Sequence, residues 1–183
     1  YDSSVSLMQR DRNTDDIYIS YSTPKTPFRT FIYNLKTKEK KLVKEQIIPS
    51  GHNSNDYIVE RLECEGHDGR IIPITITRKK TTKLDGNSNL LLYGYGSYGN
   101  SMWPSFSSTR LSLINRDIIW ATAHIRGGME RGMKWWKEGK LLNKKNTFQD
   151  YISCAKFLID KKYTSKKKII GMGGSAGGLL MGA

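Results

Sequence analysis

Two regimes of hydrophobic patterning divide this chain. In the first, apolar and polar side chains alternate over short stretches separated by turn residues. Asp16-Ile17-Tyr18-Ile19-Ser20-Tyr21-Ser22 is one such stretch, and Arg29-Thr30-Phe31-Ile32-Tyr33-Asn34-Leu35 follows after Pro24 and Pro27. Lys41-Leu42-Val43 comes next, beyond the polar turn Lys36-Thr37-Lys38-Glu39. A period of two marks half-buried strands, and this spacing predicts short antiparallel strands of a propeller blade or part of a sandwich. Pro49-Ser50-Gly51-His52-Asn53-Ser54-Asn55 is rich in turn formers and reads as a linker.

Beyond the linker the pattern changes. Tyr57 to Glu65 and Arg70 to Thr77 predict a β-hairpin joined by Gly66-His67-Asp68-Gly69. Leu90-Leu91-Leu92-Tyr93 and Ile118-Ile119-Trp120-Ala121 are continuous apolar runs, the pattern of strands buried on both faces. Phe106 to Asn115 reads as helical between them. Residues 147–160 carry the strongest helical signal, with Phe148, Tyr151, Ile152, Ala155, Leu158 and Ile159 on one face and Thr147 with Asp150 as a capping box. Strand Ile169-Ile170 and a further helix complete the alternation, which predicts an α/β layer structure with a mainly parallel sheet.

Charge and composition narrow the function classes. The 183 residues are 37% hydrophobic and 26% charged, suiting a soluble protein of one domain or parts of two. No apolar run approaches the roughly 18 residues of a membrane helix. Tyr1-Asp2-Ser3-Ser4-Val5 shows no signal peptide, and the expected compartment is the cytoplasm. The net charge of +13 comes from scattered lysine clusters. With no aromatic platform for stacking bases, it reads as solvated loops in preference to a nucleic-acid surface, the reading kept as a lesser alternative. Cys64 and Cys154 lack metal-ligand spacing and suit a reducing compartment, so no disulfide is expected. No His/Cys/Asp/Glu grouping has metal-ligand spacing along the chain, and neither a metal nor a cofactor is expected.

The chemistry concentrates in Gly173-Gly174-Ser175-Ala176-Gly177, a Gly-x-Ser-x-Gly run between Ile169-Ile170-Gly171-Met172 and Gly178-Leu179-Leu180-Met181. Strand, tight turn and helix in that order are the setting of a nucleophile elbow, where glycines clear space around a serine hydroxyl. Serine is a weak nucleophile at neutral pH and needs a histidine base oriented by a carboxylate. In an α/β-hydrolase these follow the serine in the chain, yet the eight residues after Ser175 contain neither. His52 and His67 lie in turns and His124 at a strand end, so each reads as a surface or packing residue.

Four motifs in order carry a resemblance. They are Leu92-Tyr93-Gly94-Tyr95-Gly96-Ser97-Tyr98-Gly99, His124-Ile125-Arg126-Gly127-Gly128-Met129-Glu130, the segment from Trp135 through Asn146-Thr147-Phe148-Gln149-Asp150-Tyr151, and the elbow through Gly178. With these the chain resembles the prolyl oligopeptidase family of serine peptidases, in particular its oligopeptidase B (protease II) branch. The prolyl-specific branch differs in having Gly-Phe in place of Ser97-Tyr98 and Asn in place of Ala176. The resemblance implies that residues 1–55 are the end of a seven-bladed β-propeller. It also implies that residues 56–183 are the N-terminal portion of an α/β-hydrolase domain, a fragment ending just after the nucleophile.

It implies further that Ser175 is the nucleophile, with the Ala176 backbone N–H and the Tyr95 hydroxyl as oxyanion donors. The substrates it implies are short peptides cleaved after Arg or Lys. The triad Asp and His, and the acids that choose the basic residue, would then lie outside this sequence, and a separate chain carrying the remainder of the hydrolase domain is a conceivable partner. An inactive remnant of such a peptidase is the alternative. Arg126, Gly127, Gly128 and Glu130 match a loop bordering the family's active site, where Met129 replaces a third glycine; a positive φ there would strain it.

Overall fold

In the computed structural model, which describes residues 3–10 and 13–183, the two regimes become two sheets. Tyr1 and Asp2, weighed above for a targeting segment, lie outside the described residues. The first sheet is an antiparallel meander of β1 (Ser4–Arg10), β2 (Asp16–Thr23), β3 (Thr26–Asn34) and β4 (Lys40–Glu45), paired in chain order. The patterning missed β1. Val5, Leu7, Leu42 and Val43 stay exposed, so this sheet keeps apolar side chains in contact with solvent.

The second sheet has the order β5-β6-β8-β7-β9. β5 (Tyr57–Glu65) and β6 (Ile71–Lys79) form the expected hairpin, and β6 pairs antiparallel with β8 (Ile119–Ala123). β7 (Leu90–Tyr93) runs parallel to both β8 and β9 (Ile169–Met172). The sheet is therefore mixed, and the expectation of a mainly parallel one is corrected: the hairpin enters from the edge and brings two antiparallel pairings. β9 is an edge strand, with Ile170 and Met172 about half exposed.

Alternate side chains of the central strands feed two cores. Leu90, Leu92, Ile119, Ala121 and Ala123 face α3 (Lys144–Asp160), whereas Leu91 and Trp120 face α1 (Ser108–Ile114). Both faces of β7 and β8 are thus covered, which is why their sequences are unbroken apolar runs. Two further short helices, α2 (Met133–Lys137) and α4 (Ala176–Gly182), flank the end of the sheet where the parallel strands finish. Among the described residues no helix is long and apolar enough to cross a membrane.

The start of α3 departs from expectation. Its N-cap is Asn143, so Thr147 and Asp150 lie within the helix and are no capping box. The buried face runs Thr147, Asp150, Cys154, Leu158, while Ile152 is 42% exposed. Apolar periodicity could not find this face because half of it is polar, buried against partners distant in sequence. At the sheet ends, Ser22 Oγ accepts from the Phe106 N–H at 2.9 Å, and His52 Nε2 lies 2.7 Å from the Lys25 carbonyl, tying the first sheet to the second.

Two tyrosines lock α3 and the segment after it to the sheet. Tyr151 donates to the Leu92 carbonyl at 2.6 Å, and Tyr163 to Glu60 at 3.0 Å. Burial pushes the Tyr151 phenol up to about 12; burial and then the Glu60 bond do the same for Tyr163. Between their ordinary value near 10 and about 12, the unfolded chain has lost protons that the folded chain still holds. This stabilisation is complete below pH 10 and disappears as pH rises through the window. Urea titrations across pH 9–12 are expected to show stability falling with rising pH, with a shallower fall in Tyr151→Phe/Tyr163→Phe.

Candidate active site

The three parallel strands end together, and each is followed by one of the sequence motifs. β7 leads to Tyr95, β8 to Arg126 and β9 to Ser175. The crevice beyond the carboxyl ends of parallel strands is the usual place for a site in an α/β sheet. Pairing continues one residue past β7, since the Gly94 N–H donates to the Met172 carbonyl at 3.0 Å.

Ser175 sits exposed between β9 and α4 with φ 53° and ψ −118°. A non-glycine residue in such a region costs about 1–3 kcal/mol, a strain that recurs at functional turns. Two glycines make the turn feasible. A Cβ on Gly173 would stand 2.3 Å from the Gly177 carbonyl oxygen, and one on Gly177 would stand 2.7 Å from the Gly94 carbonyl oxygen. Gly174 faces open space. The first and last glycines of Gly-x-Ser-x-Gly are therefore the sterically required pair. Gly177 also lets α4 approach Tyr95, whose Cδ2 lies 3.6 Å from the position of the missing Cβ.

Ala176 opens α4, so its N–H belongs to a turn whose donors have no helical acceptor, whereas Gly177 and Gly178 donate back to the Gly174 and Ser175 carbonyls. Open clefts lie on either side. One of about 560 Å³ is lined by Tyr98, Trp136, Leu141, Ala176 and Leu179, and one of about 780 Å³ by Tyr93, Tyr95, Met102 and Trp103. Ser175, Ala176 and Tyr95 are thus gathered at one end of the sheet.

The sequence singled out the Arg126 loop as bordering the site but not the partners that hold it. Arg126, 1% exposed, grips two carboxylates. Its Nε and backbone N–H donate to Asp150 Oδ2 at 2.8 and 3.0 Å and its Nη2 to Asp150 Oδ1 at 2.5 Å. Nη1 and Nη2 reach Asp68 at 2.6 and 3.1 Å. Burial works against both charges, but the pairing prevails: Arg126 is held above its ordinary value and Asp68 below. Asp150 is therefore an ion-pair partner, correcting its reading as a helix cap. Ligand atoms of His67, Asp68 and Asp150 do come within 4.8 Å of one another, a grouping their sequence spacing hid, and the cation there is the Arg126 guanidinium.

Lys144, which the sequence reading did not single out, donates to the Gly96 carbonyl at 2.6 Å and to Ser97 Oγ at 2.7 Å, fixing the residues after Tyr95; burial pushes its pKa down. The signal for both lay in the Lys144 to Asp150 stretch, whose polar residues are too many for a simple amphipathic helix. Met129 takes no positive φ, so its place in the Arg126–Glu130 loop is unstrained. Among the histidines, His52 stacks on Tyr57 with ring centroids 5.1 Å apart, His67 is exposed beside Asp68, and His124 is buried 2.8 Å from Thr75 Oγ1 and 3.5 Å from Glu130.

Two expectations follow for thermal denaturation. Arg126→Met leaves Asp150 buried without its counter-charge and should cost about 3–5 kcal/mol, lowering Tm by roughly 10 °C. At the elbow, Gly177→Ala should destabilise and Gly174→Ala should not, while Ser175→Gly should raise stability by about 1 kcal/mol through relief of strain.

Comparison with known proteins shows similarity of both sequence and fold. Residues 104–183 match the model of the prolyl oligopeptidase family. The chain is 44% identical to dipeptidyl aminopeptidase BI of Pseudoxanthomonas mexicana over 94% of its own length and 24% of that protein's. It is 40% identical to protease 2 of Moraxella lacunata, over 97% of the chain and 26% of the relative. The solved structure of oligopeptidase B from Leishmania major superposes with a TM-score of 0.91 at 37% identity, covering 99% of this chain and 26% of that one. The chain spans about a quarter of the length of the curated relatives it matches. Sequence and fold together place it: the chain belongs to the prolyl oligopeptidase family.

Proposed function

We propose that this chain supplies the nucleophile half of a serine peptidase site. Ser175 Oγ attacks the scissile carbonyl of a short peptide. The tetrahedral oxyanion accepts hydrogen bonds from the Ala176 N–H and the Tyr95 hydroxyl, each worth about 2.7–4 kcal/mol in the transition state. Collapse expels the amine and leaves an acyl-enzyme, which water hydrolyses. The observation that carries this reading is the strained φ of an exposed Ser175, in the turn after a parallel strand and two residues before the glycine that packs against Tyr95.

The base and acid that complete the triad are supplied outside these residues, by the remainder of a longer polypeptide or by a separate chain. The open edge of β9 and the half-exposed Ile170 and Met172 beside it suit pairing with a further strand. The four-stranded meander before residue 46 is, in this reading, a blade of a β-propeller, and residues 56–183 belong to the hydrolase domain. Cleavage after Arg or Lys is proposed from the similarity to protease 2 and oligopeptidase B. In this reading the acidic groups that would hold such a substrate belong to the remainder.

Fluorophosphonate labelling tests the proposal. The chain alone should label negligibly. Mixed with the downstream portion of an oligopeptidase B-like enzyme it should label at Ser175, with labelling abolished in Ser175→Ala and slowed about 100-fold in Tyr95→Phe. No labelling in the mixture, with the chain shown to be folded, would identify an inactive remnant. Labelling that survives Ser175→Ala would refute the assigned nucleophile.

A further inference from the structure

The steps above make no use of the open cleft of about 780 Å³ beside Tyr95. Met102 and Trp103, from the segment between β7 and α1, line it together with Tyr93 and Tyr95, and Met129 comes in from the loop after β8. Trp103 is 72% exposed and Met129 38%, and no residue lining the cleft carries a charge. On a chain of net charge +13, an uncharged wall with an exposed tryptophan and two methionines is suited to apolar groups.

Two hydrogen bonds stitch this wall to the Arg126–Glu130 loop. The Gly99 N–H donates to the Gly127 carbonyl at 2.9 Å, and the Met102 N–H donates to Glu130 Oε1 at 2.9 Å. The Glu130 side chain is only 9% exposed, so water does not readily replace it as the acceptor. Glycines let the two loops close on each other. A Cβ on Gly128 would run into Glu130 Oε2 and stand 3.1 Å from the Asn100 carbonyl oxygen. One on Gly99, at φ 69°, would stand 2.8 Å from Met129 Cε. Glu130 therefore sets where Met102 and its neighbour Trp103 lie.

We propose that this cleft is a subsite for a bulky apolar side chain of the peptide next to the bond being cut, and that Glu130 is its positioning residue. The assignment rests on the peptidase reading of Ser175 and Tyr95. If the Tyr95 hydroxyl bonds the oxyanion, the scissile carbonyl lies about 3 Å from it. Tyr95 also lines the cleft, so a residue flanking that carbonyl has its side chain within reach of Met102 and Trp103. A phenylalanine, methionine or leucine side chain there exchanges water for aromatic and thioether surface. A carboxylate or ammonium would give up hydration to a wall that offers no counter-charge. Glu130 touches no substrate; it acts through the Met102 N–H by holding the wall in place.

Binding is measured first on the chain itself, by NMR titration with N-acetylphenylalaninamide and, as controls, the glycine and aspartate amides. Only the phenylalanine amide should shift the Trp103 indole and Tyr95 ring signals, saturating at roughly millimolar concentration. Glu130→Ala should weaken this binding about tenfold and speed hydrogen exchange at the Met102 amide. Glu130→Gln, which keeps an acceptor oxygen, should stay near wild type in both. Trp103→Ala, at an exposed position, tests the wall without touching the buried carboxylate and should weaken binding as much, read at Tyr95. Absence of selective shifts, or unchanged binding in both alanine variants, overturns the subsite whether or not the chain is a peptidase. Hydrolysis is then followed in the mixture with the downstream portion of an oligopeptidase B-like enzyme, using blocked peptides with Phe or Gly on either side of the scissile bond. At one position Phe should exceed Gly about tenfold in kcat/KM, and Glu130→Ala should cut that ratio to about twofold with the Gly peptide's kcat little changed. Equal rates for Phe and Gly in the wild type overturn the subsite, and equal loss for both peptides in Glu130→Ala overturns the positioning role. Selective binding without hydrolysis in any mixture refutes the peptidase reading and leaves the apolar site standing.

Discussion

Everything around the elbow depends on one buried cation. Arg126 leaves the end of β8 and places its guanidinium between Asp150 of α3 and Asp68 of the hairpin turn. Three segments separate in sequence are thereby held at one point. A buried charge left alone costs several kcal/mol, so the end of β8 and α3 cannot part without a large penalty, while the partly exposed Asp68 adds a weaker third anchor. Such a pair is weak evidence for net stability, since a well-packed apolar trio could hold as tightly. What it supplies is direction: two bidentate forks fix the angle as well as the distance between helix and sheet.

That direction is passed to the site through α3. One turn before Asp150, Thr147 Oγ1 lies 2.8 and 3.1 Å from the Arg126 and Gly139 carbonyls and shares its proton between them. One turn earlier still, Lys144 pins Gly96 and Ser97. Tyr151 reaches the Leu92 carbonyl at the other side of the same loop. The loop bearing Tyr95 is thus held from both ends by one helix, while Gly177 admits α4 against its middle. A proposed oxyanion donor on a loop is useful only if the loop cannot drift, and here polar contacts from a rigid element prevent it.

How much of this could be read from sequence varied with the physical cause. β7 was legible to the residue, because a strand covered on both faces must be apolar at every position. The elbow was legible because Gly173 and Gly177 are forced by backbone contact, which leaves few alternatives in sequence. β1 was not, since its exposed apolar residues alternate too weakly against a polar background. The beginning of α3 was misread for a deeper reason. Thr147 and Asp150 look like cap residues because short polar side chains usually compete with helix backbone, and nothing local says that a distant arginine will satisfy them instead. The mixed pairing of the sheet was hidden likewise, because strand order is a property of contacts between segments.

The polar residues of α3 also explain why its apolar face can be narrow. Counting along the helix, Lys144, Thr147, Asp150 with Tyr151, Cys154 and Leu158 follow one another at three or four residues and form a single inward stripe. It passes from charge at the site end to hydrocarbon at the far end, with the cysteine where the two meet. The polar end makes directional bonds that set loop geometry, and the apolar end buries area that is indifferent to small rotations. A helix built only from the second kind of contact could turn a few degrees without loss; one anchored by Asp150 and Lys144 cannot. The precision of the Tyr95 and Ser175 arrangement therefore comes from the end of α3 that hydrophobic patterning assigns least reliably.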